Sequence, residues 1–171
     1  MPTGLTPVLE RPRLGSMTVE QVEQGPRQVA RTVEVSASAD DVFALVADPH
    51  RHGELDGSGT VGGTVSGPRR LTQDAQFSVA MKQFGVPYRI TSTVTRIEDG
   101  RLVEWRHPAG HRWRWELTPL TPTSTRVTET FDYSTVPAVQ GKVYELLGFP
   151  RQNAAGIEAT LRQLRSRSAR A

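Results

Sequence analysis

RLVEWRHPAGHRWRWELTPLTPTSTRVTETFDY, residues 101–133, is the stretch that decides how this chain is read. It divides into a strand, a turn at Pro108-Ala109-Gly110, a long strand, a turn at Thr121–Ser124 and a third strand. Within those strands Trp105, Trp113, Trp115, Phe131 and Tyr133 fall on alternate positions, and a period of two sets side chains on one face of a sheet. The segment holds all three tryptophans of the chain. His107, His111 and Glu129 share their phases. A broad aromatic face with a few ionisable groups is what a sheet needs to enclose an apolar small molecule.

Upstream, Gln28–Ser36 alternates Val29, Val33 and Val35 with polar neighbours and reads as a first strand. Ser38 is an N-cap for a short helix through Val42, Phe43, Leu45 and Val46, with Asp41 reaching back in a variant capping box. Pro49 disfavours helical geometry at Asp48 and ends that helix. His50 to Asp56 is a polar connector with room for one more helical turn. Thr60–Ser66, Ala75–Phe84 and Tyr88–Ile97 read as further strands, and Gly85-Val86-Pro87 as a turn. Asp99-Gly100 is a tight-turn signal leading into Arg101–His107. His111–Leu120 and Thr125–Ser134 complete seven strands.

Downstream, Pro137 opens a long helical region. Val139, Val143, Leu146 and Leu147 form one apolar stripe; Ala154, Ile157, Leu161 and Leu164 form the next. Gly148-Phe149-Pro150 kinks or breaks the helix between them, and Pro150 suits the first turn of the resumed helix. Successive hairpins make an antiparallel sheet, and a long amphipathic helix after them buries its stripe on the concave face. The expected class is α+β, with one domain over residues 27–166, a disordered leader over 1–26 in which Met17 is a candidate start, and a basic tail over 167–171.

Composition sets outer limits. The 171 residues carry a net charge of +3 and no cysteine, which excludes disulfides, a thiolate metal site and a cysteine nucleophile. No apolar run reaches membrane-span length and no secretory signal opens the chain, so the expected location is cytoplasmic. Arg162, Arg165, Arg167 and Arg170 gather at the carboxyl end. An anionic partner and a complement to the helix dipole both fit them; the small net charge favours the second and argues against nucleic acid as partner.

Several segments together resemble the START and birch-pollen-allergen-like (SRPBCC) superfamily, in its bacterial polyketide cyclase/dehydrase-like branch. They are Val33 to Phe43 (VEVSASADDVF), Leu102 to Arg106 (LVEWR), Trp113 to Leu117 (WRWEL) and Thr128 to Tyr133 (TETFDY). The resemblance implies a helix-grip fold: a seven-stranded curved antiparallel sheet wrapped around a long C-terminal helix, with two short helices after the first strand closing one end. It implies binding of lipids, polyketides or other hydrophobic molecules, and in some members aromatase, cyclase or dehydratase activity. It does not fix which, because fold alone does not determine chemistry.

The expected ligand contacts are Phe77, Met81, Ile90, Trp105, Trp113, Trp115, Phe131 and Tyr133 from the sheet, with Leu146 and Leu147 from the helix. Ordinary core packing explains the same aromatic phases, and both hold at once where core and cavity are one space. Glu129, Tyr133 and His111 are the candidate acid–base groups for an enzyme. A buried Glu129 has a raised pKa; pairing with Arg89 or Arg112 is the structural alternative. Glu104, next to Trp105, points outward. His107 and His111 flank a hairpin neck, not a helical turn, and zinc requires a third ligand that is not evident, so no metal is expected. His50, His52, Glu54 and Asp56 form a polar cluster, in a region the resemblance places at the cavity entrance; a flexible polar loop is the plainer reading. Gly57 to Gly62 spells G-x-G-x-x-G without the strand–helix context of a dinucleotide site, so no cofactor is expected. The expected partner is an apolar small molecule, bound by a monomer or homodimer without stable membrane insertion. A protein-docking module is the third reading and requires an exposed apolar patch.

Overall fold

The computed structural model describes residues 18–57, 59, 61–83 and 86–170. The expectations for residues 1–17 and for Ser58, Thr60, Phe84, Gly85 and Ala171 lie outside the described residues. In chain order the elements are β1 (Glu20–Val22), β2 (Gln28–Val35), α1 (Ala39–Val46), a 3-10 turn (Pro49–Arg51), α2 (His52–Leu55), β3 (Val61–Ser66), β4 (Gln76–Gln83), β5 (Val86–Glu98), β6 (Leu102–Arg106), β7 (Arg112–Thr121), β8 (Ser124–Asp132), α3 (Ala138–Leu146) and α4 (Phe149–Ser168).

The strands form one antiparallel sheet in the order β1-β2-β8-β7-β6-β5-β4-β3. Among the described residues, eight strands replace the expected seven. The addition is β1, where Glu20 and Val22 pair with Thr32 and Ala30 of β2 inside the stretch read as leader. The other strands follow the hairpin order, with Trp105, Trp113 and Phe131 in one cross-strand row and Val103, Trp115 and Glu129 in the next. The register of β5 against β6 shifts between Val94 and Arg96, and such a bulge sharpens the local bend of a sheet.

Local chemistry sets the helix ends. The Ser38 hydroxyl accepts from the Asp41 backbone N–H at 3.1 Å and donates to the Asp41 carboxylate at 2.6 Å. Asp48 caps the 3-10 turn that begins at Pro49, its carboxylate accepting from the His50 N–H at 3.0 Å. Gly148 adopts φ 75°, a left-handed conformation that a residue with a side chain enters only at a cost, and it ends α3 and starts α4. Gly57 is held by proximity: a Cβ there would lie 2.3 Å from the Ala159 backbone of α4. This contact ties the end of α2 to the long helix.

Helix α4 lays Ile157, Leu161 and Leu164, each at most 2% exposed, toward the sheet, and its contacts fall on β2 and β8. Each such side chain contributes about 1.5–3 kcal/mol of burial. Helix α3 departs from expectation. Val139, Val143, Leu146 and Leu147 are 76%, 44%, 87% and 56% exposed, and its buried positions are Gly141 and Tyr144. Polar bonds fix this rotation: the Gln140 amide donates to the Ala109 carbonyl at 2.7 Å and to the Tyr144 hydroxyl at 2.8 Å.

On the outer face, Glu104 is 2% exposed although its phase points away from the tryptophans. Thr95 donates to its carboxylate at 2.8 Å, and the guanidinium groups of Arg112 and Arg114 each stand 3.6 Å from it. The outward direction is as expected; arginine stems and heads cover the carboxylate.

Candidate functional site

The concave face leaves a cavity of about 360 Å³ between α2, strands β4 to β8 and the first turns of α4. Alternation on the strands supplies its aromatic wall. Trp105, Trp113 and Trp115 border it, with Phe77, Met81 and Ile90 from β4 and β5. These are six of the ten residues expected to contact a ligand. At the rim, Tyr88 is 39% exposed and Gln152 of α4 is exposed.

The other four expected contacts lie elsewhere. Leu146 and Leu147 face solvent, because α3 turns Tyr144 inward instead. Phe131 and Tyr133 are buried but belong to an aromatic cluster beneath α3. Phe131 packs on Trp113 at 5.3 Å and on Tyr133 at 5.4 Å between ring centroids, and Tyr144 joins Tyr133 to Phe149.

The acid–base candidates separate in the same way. Glu129 borders the cavity and is 6% exposed, and its Oε2 has no hydrogen-bond partner among the described residues. Loss of hydration, reinforced by the nearby Asp56 carboxylate, holds its pKa well above the usual carboxylate range. Neither expected arginine pairs with it: Arg112 turns to Glu104, and Arg89 stands 3.4 Å from the Ser66 hydroxyl. Arg31 is the register partner of Glu129 on β2, but its guanidinium lies 3.2 Å from Glu158 of α4. The Tyr133 hydroxyl is hydrogen-bonded to Glu145 on α3, and burial together with that carboxylate raises its pKa. His111 lies behind the wall against Phe131 and Tyr144. Burial, with a smaller contribution from His107, pulls its pKa down to about 3.

Two histidines and an aspartate of the wall were not among the expected contacts. His52 on α2 stacks on Trp105 at 5.3 Å and meets Phe77 edge-on at 5.6 Å. Its Nε2–H donates to the Val46 carbonyl at 2.7 Å, and burial lowers its pKa. Asp56 borders the cavity one residue after α2. His107 does so from the β6–β7 turn. Its Nδ1 accepts the Ala109 N–H at 3.0 Å, which leaves the proton of the neutral ring on Nε2, and burial lowers its pKa too. The sequence placed His52 and Asp56 in a polar connector; the only signal for the inward turn was the three-residue spacing between His52 and Leu55. Of the remaining connector residues, His50 bonds the Gly67 carbonyl at 3.0 Å and Glu54 pairs with Arg51 and Arg167.

The site is thus an apolar, aromatic chamber holding one carboxyl with an unpartnered oxygen, a second carboxylate and two histidines that burial keeps neutral. It can enclose a small hydrophobic body, donate or accept one proton, and orient a polar group.

Comparison with known proteins follows the same lines. The sequence profile of the family described as polyketide cyclase / dehydrase and lipid transport matches residues 26–169. An uncharacterized protein of Mycobacterium tuberculosis is 56% identical over 162 residues, spanning 94% of this chain and 72% of that one. Among solved structures, an aromatase/cyclase of a Streptomyces species superposes with a TM-score of 0.59 at 18% identity, over 82% of this chain and 94% of that chain. A START superfamily protein of Mycobacterium smegmatis superposes with a TM-score of 0.61 at 17% identity, over 84% and 97%. At these identities the structural likeness speaks for the fold alone.

Proposed function

The chain belongs to the polyketide cyclase / dehydrase and lipid transport family, and from that premise we propose that its cavity binds a hydrophobic or aromatic small molecule, lipid- or polyketide-like. The observation that carries this reading is the space of about 360 Å³ walled by all three tryptophans of the chain. Pockets of this size and lining enclose most of a small ligand's surface. A ligand that loses roughly 200 Å² of apolar surface to the wall gains roughly 5 kcal/mol before the entropic cost of association is subtracted.

The test is native mass spectrometry of the protein purified from its own cells, beside an Ile90→Trp variant that fills the cavity. An apolar compound carried by the wild type and absent from the variant supports the reading. The same adduct on both places the compound outside the cavity and contradicts it.

The unpartnered Oε2 of Glu129 favours a second reading, an enzyme of the cyclase/dehydratase type. A buried carboxyl with a raised pKa has the proton inventory for acid–base work on a carbonyl compound. Of the three expected acid–base residues, Glu129 is the one that borders the cavity. In this reading Glu129→Gln abolishes turnover and leaves binding of an uncharged ligand intact. Equal turnover by the variant contradicts it.

A further inference from the structure

The charge inventory of the chamber is one-sided. Two carboxyl groups border it, Glu129 and Asp56, and no Lys or Arg does so among the described residues. Glu129 is 6% exposed with Oε2 unpartnered. The cation best placed to neutralise it, Arg31 across the β2–β8 register, is committed to Glu158 at 3.2 Å and donates to the Ala30 carbonyl at 2.9 Å. Each histidine of the wall has one ring nitrogen committed to the backbone: His52 donates from Nε2 to the Val46 carbonyl, and His107 accepts the Ala109 N–H on Nδ1. Around these acids stand three indoles, Phe77 and Tyr88. Aromatic rings beside carboxylates are the surroundings that attract an ammonium group.

We propose that the chamber takes a ligand with a positively charged nitrogen on an apolar body, an aromatic or alkyl amine, whose ammonium sits between Glu129 and Asp56 against the indole wall. The proposal rests on the cavity being a ligand site and names the chemical class of that ligand. An uncharged apolar body satisfies the rings and leaves the Glu129 oxygen without a partner. An ammonium supplies the countercharge that the fold withholds from this position. Its arrival lets Glu129 ionise, so binding releases a proton and tightens as pH rises through the Glu129 titration. The other titratable or charged groups set around Glu129 are His52 from α2 and Asp56 just after it, His107 from the β6–β7 turn, Tyr88 from β5, Arg31 from β2 and Glu158 from α4. Arg31 and Glu158 compensate each other, and burial keeps His52 and His107 neutral near pH 7.

The test is a matched pair of probes of one shape, benzyltrimethylammonium and its carbon isostere neopentylbenzene, titrated into the whole protein by tryptophan fluorescence at pH 8. The expected result is binding of the ammonium at least about tenfold tighter than the isostere, in line with a desolvated cation–π and carboxylate contact. Calorimetry in two buffers of different ionisation enthalpy, repeated between pH 5 and pH 8, reads the released proton. Glu129→Gln, which keeps the shape of the side chain, removes the preference and the proton release; Asp56→Asn reduces the preference and retains the release. Equal or tighter binding of the neutral isostere overturns the proposal and leaves the apolar cavity standing. If neither probe binds, the proposal is overturned, and a neutral naphthyl probe then decides separately whether the cavity binds anything.

Discussion

His52 and Trp105 lie face to face, ring centroids 5.3 Å apart and 24° from parallel. The pair joins the four-residue helix α2 to the centre of the sheet, and Phe77 closes its edge against both rings. Removal of the imidazole therefore takes away part of the cavity wall together with a core contact. His52→Ala is expected to cost about 2 kcal/mol in urea unfolding and to weaken binding of a neutral apolar probe. His52→Phe keeps a ring and recovers most of the stability; equal losses in both variants contradict stacking as the source.

Glu129 makes the fold less stable as pH rises. Its folded pKa is raised above the unfolded value near 4.5, so above that pH the folded chain holds a proton that the unfolded chain has released. Stability falls as pH climbs from about 4.5 through the folded pKa. Glu129→Gln cannot ionise and is expected to gain in melting temperature over the wild type as pH rises from 5 to 8. Parallel curves for the two proteins rule out a buried titrating carboxyl at this position.

His111 acts in the opposite direction. Its pKa falls from 6.5 in the unfolded chain to about 3 in the fold, so between those values the unfolded chain binds the extra proton and acid destabilises. The loss begins below pH 6.5 and is complete near pH 3. His111→Gln is expected to flatten this part of the melting profile, and an unchanged acid slope shows that other groups cause it.

The hairpins were legible because alternation leaves one solution: once Trp113 and Trp115 face inward, Trp105 and Glu129 follow through the register. Strand β1 was not legible, since three residues with one valine give no period. Helix α3 shows why pattern alone misplaced part of the site. The spacing of Val139, Val143, Leu146 and Leu147 is correct for a buried stripe, yet Tyr144 takes the inward position through bonds with Gln140 and His111. Gln140 is itself held by the Ala109 carbonyl, and His111 lies thirty-three residues from Tyr144; local spacing does not report such long-range contacts. The inward turn of His52 depends likewise on a carbonyl six residues earlier and on a ring fifty-three residues later.

Glu104 tests the outer face. Its carboxylate is 2% exposed between Arg112 and Arg114 and accepts from Thr95. Truncation leaves two arginines facing an emptied site, and breaking a buried pair from one side costs about 3–5 kcal/mol. Glu104→Ala is expected in the lower part of that range, since Arg112 keeps 35% of its side chain in water, with ligand binding unchanged in the fraction that folds. A cost under about 0.5 kcal/mol, typical of an unremarkable surface position, contradicts the coverage described for this carboxylate.

The most direct measurement is the titration of N-phenyl-1-naphthylamine, neutral at pH 7, into the wild type and Ile90→Trp, with the probe excited beyond indole absorption and its own emission read. Ile90 borders the chamber between the tryptophan wall and the rim, and the larger ring occupies the space a guest requires. Saturable binding at one probe per chain, lost in Ile90→Trp at an unchanged melting temperature, is the expected result. Undiminished binding to the variant places the probe elsewhere, as on the exposed Val139–Leu147 stripe, and no binding to the wild type denies the chamber a guest; either result contradicts the cavity as the site.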